Sequence, residues 1–278
     1  MTKQVQTLAL GMLIFSISLT YAAETNTALK NASFADVLTV PYRQSDATIS
    51  YGSDQFQFGQ LWLPTTSSTR ASLVLIHGGC WLNEFDIDYS NALSSALADA
   101  GYAVWSLEYR RTGDKGGAWP GTFEDIITGI NSLNNISEIN TENLAILGHS
   151  AGGHLALLAG ARSELLVIEP DLIVGLAAIS DVVNYAAGSN TCQAATPLFM
   201  GGNVSDRAQE YFNANPSNHG LHKNTVLLQG DIDEIVPLAQ ATLPGARTII
   251  SIGASHFDWA HPDTLAYRRL LELLDENF

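Results

Sequence analysis

Residues 144–156 read LAILGHSAGGHLA: an apolar run, Gly148-His149-Ser150, then Ala151-Gly152-Gly153 opening into an Ala/Leu-rich stretch. Residues 144–147 are apolar without alternation, as expected of a strand buried on both faces, and residues 152–161 have the composition of a helix. Ser150 is thus expected in a tight strand-to-helix turn, with Gly148 and Gly152 two residues to either side. Such a turn strains the serine backbone, needs small neighbours and throws Oγ clear. The helix N-terminus behind it favours developing negative charge. A serine held this way is a candidate nucleophile; the plainer alternative is a glycine-rich turn whose serine only caps the helix.

The flanking segments alternate between strand and helix. Upstream, residues 55–63 alternate polar and apolar, the pattern of an antiparallel strand with one wet face, and residues 71–76 are continuously apolar. Helices are expected at 92–100 and 122–133, with a strand at 102–107. Downstream, strands are expected at 172–179, 225–228 and 248–252. A closing helix is expected over 262–274, with Leu265, Leu270 and Leu274 as its apolar stripe. This alternation implies an α/β fold, a mostly parallel sheet covered by helices with right-handed crossovers. Residues 24–47 read as an irregular lead-in. Residues 181–224 break the alternation, and an excursion that long reads as a cap or lid.

Composition narrows the classes. With 46 % apolar and 15 % charged residues, the 278-residue chain is neither collagen-like, coiled-coil nor wholly disordered, and its length suits one large domain. Asp and Glu (28) outnumber Lys and Arg (13), so the cations are too sparse for a phosphate-binding surface. Nucleic acid and anionic membrane are therefore not expected as partners. No charge occurs between Lys3 and Glu24, and the apolar run at 8–19 is too short to span a bilayer. Residues 1–23 read as a secretory signal peptide cut after Ala22 or Ala23, leaving residues 24–278 as a periplasmic or secreted domain. An oxidising compartment permits a disulfide between Cys80 and Cys192; two free buried thiols are the alternative.

Three further segments offer what acyl transfer needs. Residues 75–81, LIHGGCW, follow the first buried strand. An oxyanion needs two or three backbone N–H donors with no side chain in the way, and consecutive glycines let the chain turn its amides inward. Gly79 and Cys80 are the expected donors, with Ala151 as the third. His77 reads as an anchor of this loop rather than a base. Trp81 either packs the loop or lines the acyl pocket, and counts as a candidate pocket residue. Residues 226–237, VLLQGDIDEIVP, set three carboxylates after a buried strand, any one of which could orient a histidine. Residues 250–258, ISIGASHFD, place His256 at the C-terminal end of the last strand, where open α/β sheets build their sites. His149, His154, His219, His222 and His261 lack that position. The His219/His222 pair has no third ligand, so no metal is expected. No lysine follows the glycines at 148–153, so no phosphate loop and no cofactor is expected.

Together HGGCW (77–81), YRR (109–111), WPGTFED (119–125), GHSAGGHLA (148–156), GDIDEIVP (230–237) and GASHFD (253–258) resemble the α/β-hydrolase superfamily. The nearest likeness is to its bacterial esterase, acylaminopeptidase-like and kynurenine-formamidase-like branch. The resemblance implies the α/β-hydrolase fold, with a small cap insertion, about 182–224, after the sixth strand. It maps the acid onto Asp233 rather than Asp231, and so implies a triad of Ser150, Asp233 and His256. Cys80 fills the third glycine position of the HGGG found in many lipases and esterases, which keeps the backbone donor but alters the pocket wall. A Cys80–Cys192 disulfide would tie the cap to the oxyanion loop. The implied activity is a secreted serine hydrolase cleaving a small carboxylic ester through an acyl-enzyme, with plant cell-wall acetyl or feruloyl esters as substrates by analogy alone. The alternatives are an amide hydrolase, either arylformamidase or exopeptidase, on the same triad, or a non-catalytic binding protein on this fold. In the enzymatic readings the partner is a small-molecule ester or amide.

Overall fold

The computed structural model describes residues 28–29, 31–66 and 69–278; the leader expected at 1–23 lies outside the described residues. Eight strands form one sheet: β1 (Ala47–Ser50), β2 (Phe58–Trp62), β3 (Ser72–Ile76), β4 (Ala103–Leu107), β5 (Leu144–His149), β6 (Leu172–Leu176), β7 (Thr225–Gly230) and β8 (Arg247–Ser251). Their order is β1-β2-β4-β3-β5-β6-β7-β8. β2 runs antiparallel to both β1 and β4, and every pairing from β4 to β8 is parallel. This is the mostly parallel α/β sheet expected from the alternation.

Side-chain alternation along the buried strands builds a core on each face. Val74, Ile76 and Ile146 point to the face covered by α3 (Gly121–Asn131) and α4 (Ala151–Ala161), meeting Ile126, Ile130, Leu155 and Leu158. Leu73, Leu75 and Leu147 point to the other, meeting Leu93 and Leu97 of α2 (Asn91–Asp99) and Leu270 and Leu274 of α8 (Leu265–Asn277). Leu265, expected in the stripe of the last helix, is instead exposed, because α8 begins there behind the Thr264 cap. β6 ends at Leu176 rather than 179, where Ala177 takes a positive φ of 46° and turns the chain out of the sheet.

α1 falls within the expected lead-in, and β1 begins at its last residue. β1 is a short, half-exposed edge strand, and α1 (Phe34–Thr39) starts at Ser33, whose capping box with Asp36 closes its first turn. The excursion between β6 and β7 contains α5 (Val182–Tyr185), α6 (Thr191–Met200) and α7 (Ala208–Ala214). Its buried Phe199, Met200 and Tyr211 join the core of the α3/α4 face. Cys80 and Cys192, 112 residues apart, form a disulfide with Cα atoms 5.1 Å apart, so α6 is tied to the loop after β3.

Close approach at the β5–α4 turn leaves no room for side chains. A Cβ on Gly148 would run into the carbonyl of Gly152, and one on Gly152 into the carbonyls of Ile76 and His77. We expect Gly152→Ala to lower stability by about 1–3 kcal/mol, read from the urea midpoint; an unchanged midpoint would show that those carbonyls can retreat. Cys192→Ser should cost about 2–4 kcal/mol under oxidising conditions and nothing in excess reductant. Equal midpoints for the two proteins under oxidising conditions would refute the tie.

Candidate active site

Ser150 is the N-cap of α4, with φ 57° and ψ −120°, a conformation that L-residues rarely hold. Its N–H donates to the carbonyl of Leu176 on β6 at 2.8 Å, which pins the strained turn to the neighbouring strand. His256 lies in the loop after β8, and its Nδ1 sits 2.8 Å from Asp233 Oδ2. That contact places the ring proton on Nδ1 and leaves Nε2 as the basic nitrogen of the neutral ring. Asp233 Oδ1 accepts from the N–H groups of Ile235 (2.9 Å) and Val236 (2.8 Å), and Oδ2 also accepts from Gln229 Nε2 (3.1 Å). Burial by itself would raise the Asp233 pKa, but the His256 imidazole and these N–H groups outweigh it and hold the carboxyl below its ordinary range. Asp231 is used differently: its carboxylate accepts from Gly253 N–H at 2.6 Å and joins the β7 and β8 loops.

Ser150 and His256 line one cavity of about 420 Å³. No direct hydrogen bond joins them among the described residues, so their meeting depends on where the His256 loop is held. Gly79 and Cys80 line the same cavity, at φ 103° and 53°. Gly78 N–H is already taken by the Tyr89 phenol. The N–H groups of Gly79, Cys80 and Ala151 have no acceptor among the described residues, as an oxyanion hole requires. The loop is braced from behind. His77 stacks on Tyr109 with ring centroids 4.4 Å apart, and its Nε2 donates to the buried Glu108 at 3.0 Å. Glu108 also accepts from Tyr109 N–H, Ile87 N–H and Arg111 Nη1, and His77 and Arg111 overcome burial to hold its pKa down.

Trp81, a candidate pocket residue, does not line the cavity. It is fully buried, stacked on Phe199 with centroids 4.8 Å apart, and its Nε1 donates to His154 Nδ1 at 3.3 Å. Its positive φ of 59° swings the indole away from the cavity into the excursion's core. His154 in turn donates to the Ala214 carbonyl at 2.7 Å and so clasps α4 to the end of α7, burial pushing its pKa down to about 4. The excursion contributes only Asn190, Thr191 and Cys192 to the cavity wall. The apolar wall comes mainly from elsewhere, notably Phe34 of α1, Phe85 after the loop that carries Gly79 and Cys80, and Phe257. Glu84 adds a carboxylate, and no Lys or Arg among the described residues lines the cavity.

His149 also lines the cavity, although it precedes the turn rather than following a strand like His256. Its Nε2 lies 3.0 Å from the carbonyl oxygen of His256 and its Nδ1 3.1 Å from Tyr89 Oη. Burial and the nearby His256 ring push its pKa down to about 3, so it is neutral. Its place next to Ser150 was the one signal available in the sequence.

Comparison with known proteins gives this geometry a lineage. A family model described as BD-FAE matches residues 60–244, a stretch that holds Gly79, Cys80, Ser150 and Asp233 and stops short of His256. Esterase LipC of Mycobacterium tuberculosis is 32 % identical over 121 residues, which is 42 % of this chain. The matched stretch spans only 30 % of that relative's length. Among solved structures, esterase B from Lactobacillus rhamnosis superposes with a TM-score of 0.72 at 19 % identity, covering 86 % of this chain and 88 % of that one. The butyrate-bound thermophilic esterase Est2 of Thermogutta terrifontis gives 0.63 at 19 % identity, covering 83 % and 92 %. These likenesses establish the α/β-hydrolase fold. By the span of its family match, the chain belongs to the BD-FAE family.

Proposed function

We propose that the protein is an exported serine hydrolase that cleaves a small carboxylic ester through an acyl-enzyme. The observation that carries this is convergence: a strained serine, a histidine paired to a buried carboxylate, and unpartnered backbone amides at one cavity. Ser150 Oγ attacks the ester carbonyl as its proton passes to His256 Nε2. Asp233 holds the imidazole in the required tautomer and stabilises its cation. The amides of Gly79, Cys80 and Ala151 receive the charge that develops on the carbonyl oxygen. Collapse of the tetrahedral intermediate expels the alkoxide, which takes the proton from His256. Water then attacks the acyl group, gives a proton to the same nitrogen, and releases the acid while Oγ is reprotonated.

The names of LipC and the structural neighbours support an ester over an amide. The largely apolar cavity supports an uncharged acyl group. Export is supported by the Cys80–Cys192 disulfide, since such bonds persist in oxidising compartments.

We expect Ser150→Ala to lose turnover of p-nitrophenyl esters, acetate to octanoate, by on the order of 10⁵-fold or more while unfolding at the wild-type temperature. It should also lose labelling by a fluorophosphonate probe. Wild-type protein inactive on the whole series, or labelled at another residue, would sink the proposal. Asp233→Asn should lower kcat by about 10⁴-fold with little change in KM; a kcat within tenfold of wild type would remove Asp233 from the acid's role.

A further inference from the structure

We propose that Tyr89 and His149 are positioning residues for His256, locking the loop that carries the base to the loop that carries the oxyanion amides. The inference rests on the reading of Ser150 as nucleophile and His256 as base.

The polarity of the contacts is fixed from one end. A carbonyl oxygen only accepts, so the 3.0 Å contact between His149 Nε2 and the His256 carbonyl requires the ring hydrogen on Nε2. A neutral imidazole then presents a lone pair at Nδ1, and the Tyr89 hydroxyl must donate to it across 3.1 Å. Burial pushes the Tyr89 phenol up, which keeps that hydrogen in place. The phenol oxygen in turn accepts from Gly78 N–H, in the loop whose next two amides are unpartnered. The result is a one-way string: Gly78 N–H to Tyr89, Tyr89 to His149, His149 to the backbone of His256. Tyr89 and His149 are 4 % and 3 % exposed, so these bonds lie largely out of solvent.

The string ends on the general base's own carbonyl and starts beside the oxyanion donors. Its middle member is the last residue of β5, directly before Ser150. A shift of one ångström in such an arrangement costs on the order of 10²-fold in rate. The His256 ring has a second neighbour in this role, since the His149 ring centroid lies 4.7 Å from it. A histidine that only filled the core would affect stability without singling out the chemical step.

Paired substitutions separate these roles. His149→Gln keeps an amide N–H where Nε2 stood, within reach of the His256 carbonyl. His149→Asn keeps a polar group facing Tyr89 but falls short of that carbonyl. With a p-nitrophenyl ester we expect His149→Asn to lower kcat by about 30–100-fold with KM within about threefold of wild type. His149→Gln should recover kcat to within about fivefold, and Tyr89→Phe should lower it by about tenfold. The Tyr89→Phe/His149→Asn double variant should be no slower than His149→Asn alone, because residues acting as one unit are non-additive. Thermal unfolding identifies any variant that fails to fold, and Tyr89→Phe, which removes a single oxygen, carries the test if the His149 variants do. A folded Tyr89→Phe or His149→Asn with kcat within twofold of wild type would overturn the inference. So would a His149→Gln no faster than His149→Asn, or losses that multiply in the double variant. Wild-type protein without esterase turnover would instead overturn the proposed function, and this inference with it.

Discussion

The backbone of Ser150 is the constraint from which the site follows. A non-glycine residue at φ 57° is retained only when its surroundings over-determine it. Here they do: Leu176 holds the serine N–H, and Gly148, Gly152 and Gly78 let three stretches of backbone close on the turn. Because Gly152 packs against the carbonyls of Ile76 and His77, the end of β3 cannot lie elsewhere than beside the start of α4. The unpartnered amides of Gly79, Cys80 and Ala151 are neighbours for that reason. One tight approach thus brings the loop that carries Gly79 and Cys80 against the Ser150 turn.

Two buried polar systems hold the surroundings of that turn. On one side Glu108 gathers His77, Arg111 and two backbone amides, so its charge is fully compensated where no water reaches. On the other, Asp233 accepts from His256, Gln229 and two amides of its own loop. Each carboxylate sits at a strand's C-terminal end and immobilises a loop there. Glu108 and Asp233 are two of the fold's deeply buried carboxylates, alongside Asp125 and Asp258.

Strands were legible where the sheet is covered on both faces, since residues 73–76 and 144–147 are continuously apolar and residues 102–107 are broken only by Ser106. The short edge strand β1 has no such run, and the expected lead-in ends at its first residue. Helix α1 escaped for a different reason. Six residues show too little periodicity, although Ser33 and Asp36 carry a capping signature that could have marked its start. The strand-to-helix turn at Ser150, the glycines before Trp81 and the histidine after β8 were legible because each is tied to the end of a strand. Trp81 was not, because its direction depends on a positive φ that residue type does not reveal. Nor was the contact of His149 with His256, which spans 107 residues and exists only once β5 and the β8 loop are side by side. Phe34 was not legible as cavity wall either, since it reaches the cavity from a segment with no strand next to it.

That placement of Phe34, Asn190 and Thr191 has an evolutionary consequence. The groups proposed to act on the ester hang from strand termini that share a core, whereas Phe34, Asn190, Thr191 and Cys192 of the wall hang from α1 and from the excursion after β6. Lineages can therefore reshape what fits by altering peripheral segments while the inherited centre stays under separate selection. Part of the divergence in preference should therefore fall in α1 and between the sixth and seventh strands.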